Sequence, residues 1–155
     1  MRGDRRWYAD AASRSFILRA YLPRLALLNL VWEVAQLPLY AIWREARPTT
    51  IAYAVAHCTV GDVMIGTVAL VAALILNRAG EYARWPVRRI AVLTAALAVS
   101  YTLLSEFLNL ALGSWAYSPW MPVLPWVGVG LAPLVQWLTV PGAALWWAGS
   151  DSRPL

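Results

Sequence analysis

Between Arg89 and Asp151 the chain carries one formal charge, Glu106. That stretch cannot furnish a water-facing surface, because soluble domains carry roughly 25% charged residues to keep their exterior wet. Over the whole chain 61% of the 155 residues are hydrophobic and 14% charged, with a mean hydropathy of +0.55. The apolar residues gather into four windows, Leu25–Trp43, Ile51–Leu76, Ile90–Leu112 and Trp126–Ala148. Crossing ~30 Å of hydrocarbon at ~1.5 Å per residue takes about 20 residues, which each window approaches or exceeds. Only helices and closed barrels satisfy their backbone in lipid, and unbroken Leu- and Ala-rich windows lack the alternation of barrel strands. The expected fold class is therefore all-α. It is one membrane domain over residues 1–155, a bundle of four transmembrane helices at about 24–43, 51–76, 90–112 and 126–148.

The charges set the orientation. All thirteen basic residues are Arg. Six precede the first window, four (Arg78, Arg84, Arg88, Arg89) separate the second from the third, and the loop between the third and fourth has none. The positive-inside rule then places both termini in the cytoplasm, as a multi-pass protein of a bacterial inner membrane. Residues 1–22 read as a basic segment with a short interfacial helix, its Arg residues meeting anionic headgroups rather than nucleic acid. The opening Met1-Arg2-Gly3-Asp4-Arg5-Arg6 is signal-like. Arg14 and Arg19 interrupt the apolar segment after it, however, and no small-x-small cleavage site succeeds it, so the first helix is expected to stay. Cys58 is the single cysteine. It excludes an intramolecular disulfide and leaves the redox compartment unread.

Prolines and aromatics punctuate the spans. Pro23 suits the first turn of helix one, and Pro38 inside the same window predicts a kink, since it removes a backbone donor. The third loop, from Gly113 to Trp126, holds three prolines, three Trp and a Tyr with no charge. It reads either as an aromatic belt with a stiff turn or as a rigid lid over a cavity.

Three carboxyl groups lie within the spans: Glu33, Asp62 and Glu106. An acid facing lipid at a helix centre costs about 2.5–3.5 kcal/mol, so each should point into the bundle. Asn29, Glu33, Gln36 and Tyr40 recur at helical steps on one face, as do Thr102, Glu106 and Asn109 on another. At ~1.5 Å per residue Asp62 and Gln136 each fall about 15–16 Å from an outer helix end, level with Glu33. Glu106 and His57 share a shallower tier. Cys58 stands one helical turn from Asp62, with His57 about 100° round from it. Gly61 and Gly66 offer room for a neighbouring helix.

Acids and a His at matched depths suit general acid–base work, in which a buried carboxyl holds or delivers a proton. They also suit a proton relay, although helices three and four carry no charge in their cytoplasmic halves to continue a path. A lone His without a local HxxxH pair argues against a metal. Glu33, His57, Asp62 and Glu106 are the candidate catalytic groups. Trp32, Gln36, Asn109, Trp115, Tyr117, Trp120, Gln136 and Trp137 are the candidate substrate-binding residues.

Glu106, Gly113, Trp115, Tyr117, Pro122, Pro125 and Pro133 form an E…G-x-W-x-Y…P…P order that faintly resembles the small membrane carotenoid cyclases and hydratases of bacteria. Those proteins are helical and act on long polyenes by acid chemistry, which implies Glu106 as a proton donor. The likeness covers under a fifth of the chain, and Gln136 stands where the cyclase pattern follows a proline with paired acids. With Trp32-Glu33…Gln36 and His57…Gly61-Asp62, the chain as a whole is similar to uncharacterised small membrane proteins of proteobacteria. Two readings remain. One is a protein that binds or converts an apolar isoprenoid, pigment or lipid by acid–base chemistry, with membrane lipids around it. The other is a non-catalytic accessory or assembly subunit of a larger respiratory or photosynthetic complex, or a homo-oligomer, whose many Trp and Tyr serve interfaces. The cofactor is left open.

Overall fold

The computed structural model describes residues 6–150; Arg2, Arg5 and Arg153 lie outside them. Helices α1 (Ala11–Ser15), α2 (Leu22–Gln36), α3 (Ile42–Glu45), α4 (Pro48–Leu76), α5 (Val87–Ala111) and α6 (Leu131–Ser150) carry the chain. No β-strand occurs among the described residues; two isolated bridges, Tyr40 with Tyr117 and Val123 with Gly130, lie in the connections. The four long helices α2, α4, α5 and α6 pack in a ring, each against its two neighbours. The chain runs up α2, down α4, up α5 and down α6. One end, here the basal end, holds the α4–α5 loop; the other, the distal end, holds the α5–α6 loop.

Pro23 does not begin a helix. Ala11–Ser15, a π-helical stretch Phe16–Tyr21, and Leu22–Gln36 run on as one rod, with helical backbone at both joints. A proline ring four residues above a carbonyl clashes with it, and a widened turn relieves that crowding. The Leu22 N–H accordingly reaches back to the Ile17 carbonyl. The short helix expected before the first apolar window is thus continuous with the helix of that window. Pro38 does end the rod: α2 stops at Gln36, Leu37–Leu39 is a 3₁₀ turn, and Tyr40 is extended. The window expected at about 24–43 is therefore a helix to Gln36 and a broken segment beyond.

The fourth helix also begins later than hydropathy suggests. Trp126 (φ 68°) and Gly128 (φ 71°) form a tight reversal, closed by Leu124 N–H to the Val129 carbonyl at 2.8 Å and Leu131 N–H to the Pro122 carbonyl at 2.7 Å. Residues 126–130 thus belong to the loop. The middle helices end more regularly. At Arg78 (φ 49°) and Gly113 (φ 69°) the chain turns left-handed. The next residues, Ala79 and Ser114, reach back to the Leu74 and Asn109 carbonyls at 2.9 Å. Both ends are Schellman caps, which satisfy carbonyls left over at the helix ends.

The exterior is apolar and the interior partly polar. Val31, Val34, Val60, Met64, Val68, Val92, Leu104, Phe107 and Leu138 are exposed, whereas Asn29, Glu33, Gln36, Thr94, Thr102, Glu106 and Gln136 are buried. Helices α4 and α5, of 29 and 25 residues, are long and apolar enough to cross a membrane. Only 28% of the apolar stretch of each is buried, unlike the core helix of a soluble protein. The basal half packs around Tyr21, Leu25, Leu70, Leu74, Ile90 and Ala144. Gly66 makes this closeness possible. A Cβ there would lie 2.8 Å from Leu25 Cδ2 and 3.3 Å from Trp137 Cζ3, while Gly61 faces open space.

Candidate functional site

Buried polar residues of α2 and α6 join the half-buried Asp62 of α4 in one chain of hydrogen bonds. Trp32 Nε1 donates to Gln36 Oε1 at 3.2 Å, and Gln36 Nε2 donates to Glu33 Oε1 at 2.6 Å. The Glu33 and Asp62 carboxyl groups meet within hydrogen-bonding reach. Gln136 Nε2 then donates to Asp62 Oδ2 at 2.8 Å and to Asn29 Oδ1 at 2.8 Å. Asn29 Nδ2 closes the run on the Leu25 carbonyl at 2.9 Å. The amides fix every donor except one. Neither Glu33 nor Asp62 carries an N–H, so the link between them forms only when the two carboxyls share a proton. Helical steps of four and three put Asn29, Glu33 and Gln36 on one face of α2, which is why the chain forms there.

A second cluster sits above, under the α5–α6 loop. Tyr117 donates its hydroxyl proton to Glu106 Oε2 and accepts from the Gly130 N–H at 2.8 Å. Burial, reinforced by the Glu106 carboxylate, holds the Tyr117 phenol above its ordinary range, so it stays a donor. The Trp115 indole N–H is buried beside Glu106, outside hydrogen-bonding geometry. Tyr40 lies among Glu33, Cys58, Glu106 and Tyr117 and so bridges the tiers. Its ring stands edge-on to Tyr117 at 5.6 Å between centroids.

The Pro38 break seats this cap. Ala41 N–H donates to the Ala116 carbonyl and Ser118 N–H to the Leu39 carbonyl, both at 2.9 Å. Ser118 Oγ donates to the Pro38 carbonyl at 2.9 Å. The loop therefore supplies the partners that the interrupted helix lacks, and in doing so delivers Tyr117 to Glu106. Gly130 must be small: a Cβ would fall 2.9 Å from Met121 Sδ and 3.1 Å from Tyr117 Oη.

The structure brings together Glu33, Gln36, Asp62 and Gln136, with Glu106, Trp115 and Tyr117 above them. It leaves others apart. His57 is exposed on the outside of α4, stacked on Tyr53 at 5.7 Å and 18°. Cys58, one residue on, turns toward the acids instead. Depth matched His57 to Glu106, but the 100° step between successive residues decides facing. Asn109 bonds to Ser105 on its own helix. Trp120 is exposed, and Trp137 is buried between Ala69 and Ala98 as packing beneath the polar chain. Among the described residues no three His, Cys, Asp or Glu converge as metal ligands. Asn29 belongs to the site by position, and its helical register with Glu33 is the signal for it; Tyr40 joins it from beyond the Pro38 break, where that register no longer applies.

No protein-family model matches the chain, and neither curated proteins nor solved structures give a significant match.

Proposed function

We propose that the chain is a four-span membrane protein with cytoplasmic termini that acts on an apolar, unsaturated lipid such as an isoprenoid or polyene pigment. In this reading the Glu33–Asp62 pair holds one transferable proton. The observation that carries it is the contact of two carboxyls from different helices, inside a chain whose other side chains, the Asn29, Gln36 and Gln136 amides and the Trp32 indole, are neutral. Donation of that proton to a double bond leaves a carbocation beside the resulting carboxylates. Loss of a neighbouring C–H proton back to the pair completes an isomerisation or cyclisation; capture of water, with return of its proton, completes a hydration. Glu106, hydrogen-bonded to Tyr117 above the pair, is the second acid of this reading. Gln136 stands where the cyclase pattern has paired acids, so the proposal rests on Glu33 and Asp62, which lie against Gln136, and not on that resemblance.

The membrane placement is supported by the apolar exterior, the two long apolar helices and the Arg residues at the basal end. The test is purification in mild detergent with extraction of bound apolar molecules, followed by assay of Glu33→Gln and Asp62→Asn. We expect a stoichiometric unsaturated lipid that wild type converts and both variants bind but leave unchanged. Full turnover in either variant overturns the reading, as does recovery of a stoichiometric protein partner without any lipid, the mark of an accessory subunit.

A further inference from the structure

At the basal end, away from the acids, a groove of about 740 Å³ opens between α5 and α6. Its floor is preformed. Phe16 stacks on Tyr82 at 4.2 Å between centroids, and Trp85 stands edge-on to both. Trp85 Nε1 is tied to the Gly80 carbonyl at 3.0 Å. Ala91, Leu145 and Trp146 continue the walls along the helices. The space exists because α6 carries Gly142 and Gly149 two turns apart on one face. A Cβ at Gly142 would meet nothing within 4 Å, and one at Gly149 would meet only Tyr82 Oη, at 3.9 Å. Arg88 lines the groove, and no carboxyl group among the described residues does.

We infer that this groove binds one anionic phospholipid, its phosphate on Arg88 and an acyl chain along Trp85, Ala91, Leu145 and Trp146. The inference rests on the membrane placement proposed above, but not on the acid pair. An apolar trough with a guanidinium at the headgroup level fits a phosphate-bearing amphiphile, and basic pockets between helices on the cytoplasmic side recruit such lipids. Arg89, next to Arg88 in sequence, adds to the positive field and disfavours a zwitterionic headgroup. A second copy of the chain is a poor occupant, since a two-fold contact here would bring the same Arg cluster against itself.

The test uses the full chain in neutral detergent, titrated with phosphatidylglycerol or phosphatidylcholine of identical acyl chains and read by native mass spectrometry. Phosphatidylglycerol should bind as a single preferred molecule. Arg88→Gln should weaken it about fivefold, what one Arg contributes at an anionic surface. Arg89→Gln, outside the groove, should weaken it less. Gly142→Leu puts its Cβ into open space, so it should stay folded and lose the lipid. Glu33→Gln should bind phosphatidylglycerol as wild type does, which keeps this site separable from the acid pair. Equal binding of the two lipids, competition by inorganic phosphate alone, an unchanged Arg88→Gln variant, or a dimer that Gly142→Leu dissolves would each overturn the inference.

Discussion

Replacing Gln136 by Leu removes a donor that serves two acceptors on two other helices, at 2.8 Å each. Gln136 is 1% exposed, so no solvent can take its place. Hydrogen bonds between membrane helices average only about 0.6 kcal/mol and reach about 1.7, because the separated helices find other partners. By that scale two lost bonds cost about 1–3 kcal/mol. The orphaned groups add more: a buried acceptor without a donor costs about 1–3 kcal/mol, and a carboxyl lies at the upper end. Leucine gives back roughly 1 kcal/mol of apolar burial. We expect a net loss of about 1–5 kcal/mol, read from equilibrium unfolding in mixed micelles by circular dichroism. Because most of the cost is the stranded Asp62, Asp62→Leu combined with Gln136→Leu should lose about 1–3 kcal/mol less than the two single variants together. Strict additivity, or a single-variant loss below about 0.5 kcal/mol, would refute the claim that Gln136 ties α6 to the acids.

Three further outcomes are expected from the same geometry. Gly130→Ala should push the Tyr117 ring off Glu106, lowering any activity while costing about 1–3 kcal/mol of stability as an overpacked contact; an unchanged Tyr117 absorbance and unaltered stability would contradict it. Gly66→Ala should be net destabilising, since overpacking against Leu25 and Trp137 outweighs the ~1 kcal/mol of helix propensity gained, whereas Gly61→Ala should be neutral or stabilising by up to ~1 kcal/mol; thermal denaturation of the pair checks the order. Asp10, held below its usual 3.8 by hydrogen bonds from the Ser13 side chain and backbone and from the Tyr82 N–H, clasps the basal loop. A carboxyl lowered by folding contributes stability present above its ordinary value and lost as pH falls through the folded one. Hydrogen-exchange protection at Tyr82, corrected for intrinsic rate, should therefore hold at about pH 5, fall toward about pH 3, and lose this pH dependence in Asp10→Asn.

The helices are legible because long unbroken apolar runs mark them, and α4 and α5 lie where those runs put them. Helix ends are harder. Pro38 announces a break, but where the chain goes afterwards depends on Ala116 and Ser118, which no local pattern connects to it. Trp126 looks like the start of an apolar window because hydropathy counts a residue without knowing that its φ is 68°. The acids are readable as inward-facing from cost alone, and the register of Asn29, Glu33 and Gln36 identifies their face. His57 shows the limit of depth as a guide, since its neighbour Cys58 takes the inward position. The basal clasp of Phe16, Tyr82 and Trp85 is invisible in the sequence, because its three rings come from two segments whose meeting depends on the continuous rod through Pro23.

The dependence of the Pro38 break on the distal loop also constrains how the protein is made. Ser118, which caps the Pro38 carbonyl, is synthesised 80 residues after it. At ~5–20 residues per second that interval is about 4–16 s. Throughout it the Leu39 carbonyl and the Ala41 N–H lack the partners they have in the folded chain, and on the proposed membrane placement hydrocarbon would offer none. On that placement the first hairpin waits at the distal surface, held by water or by the insertion machinery, and is finished only when a later part of the chain arrives to complete it.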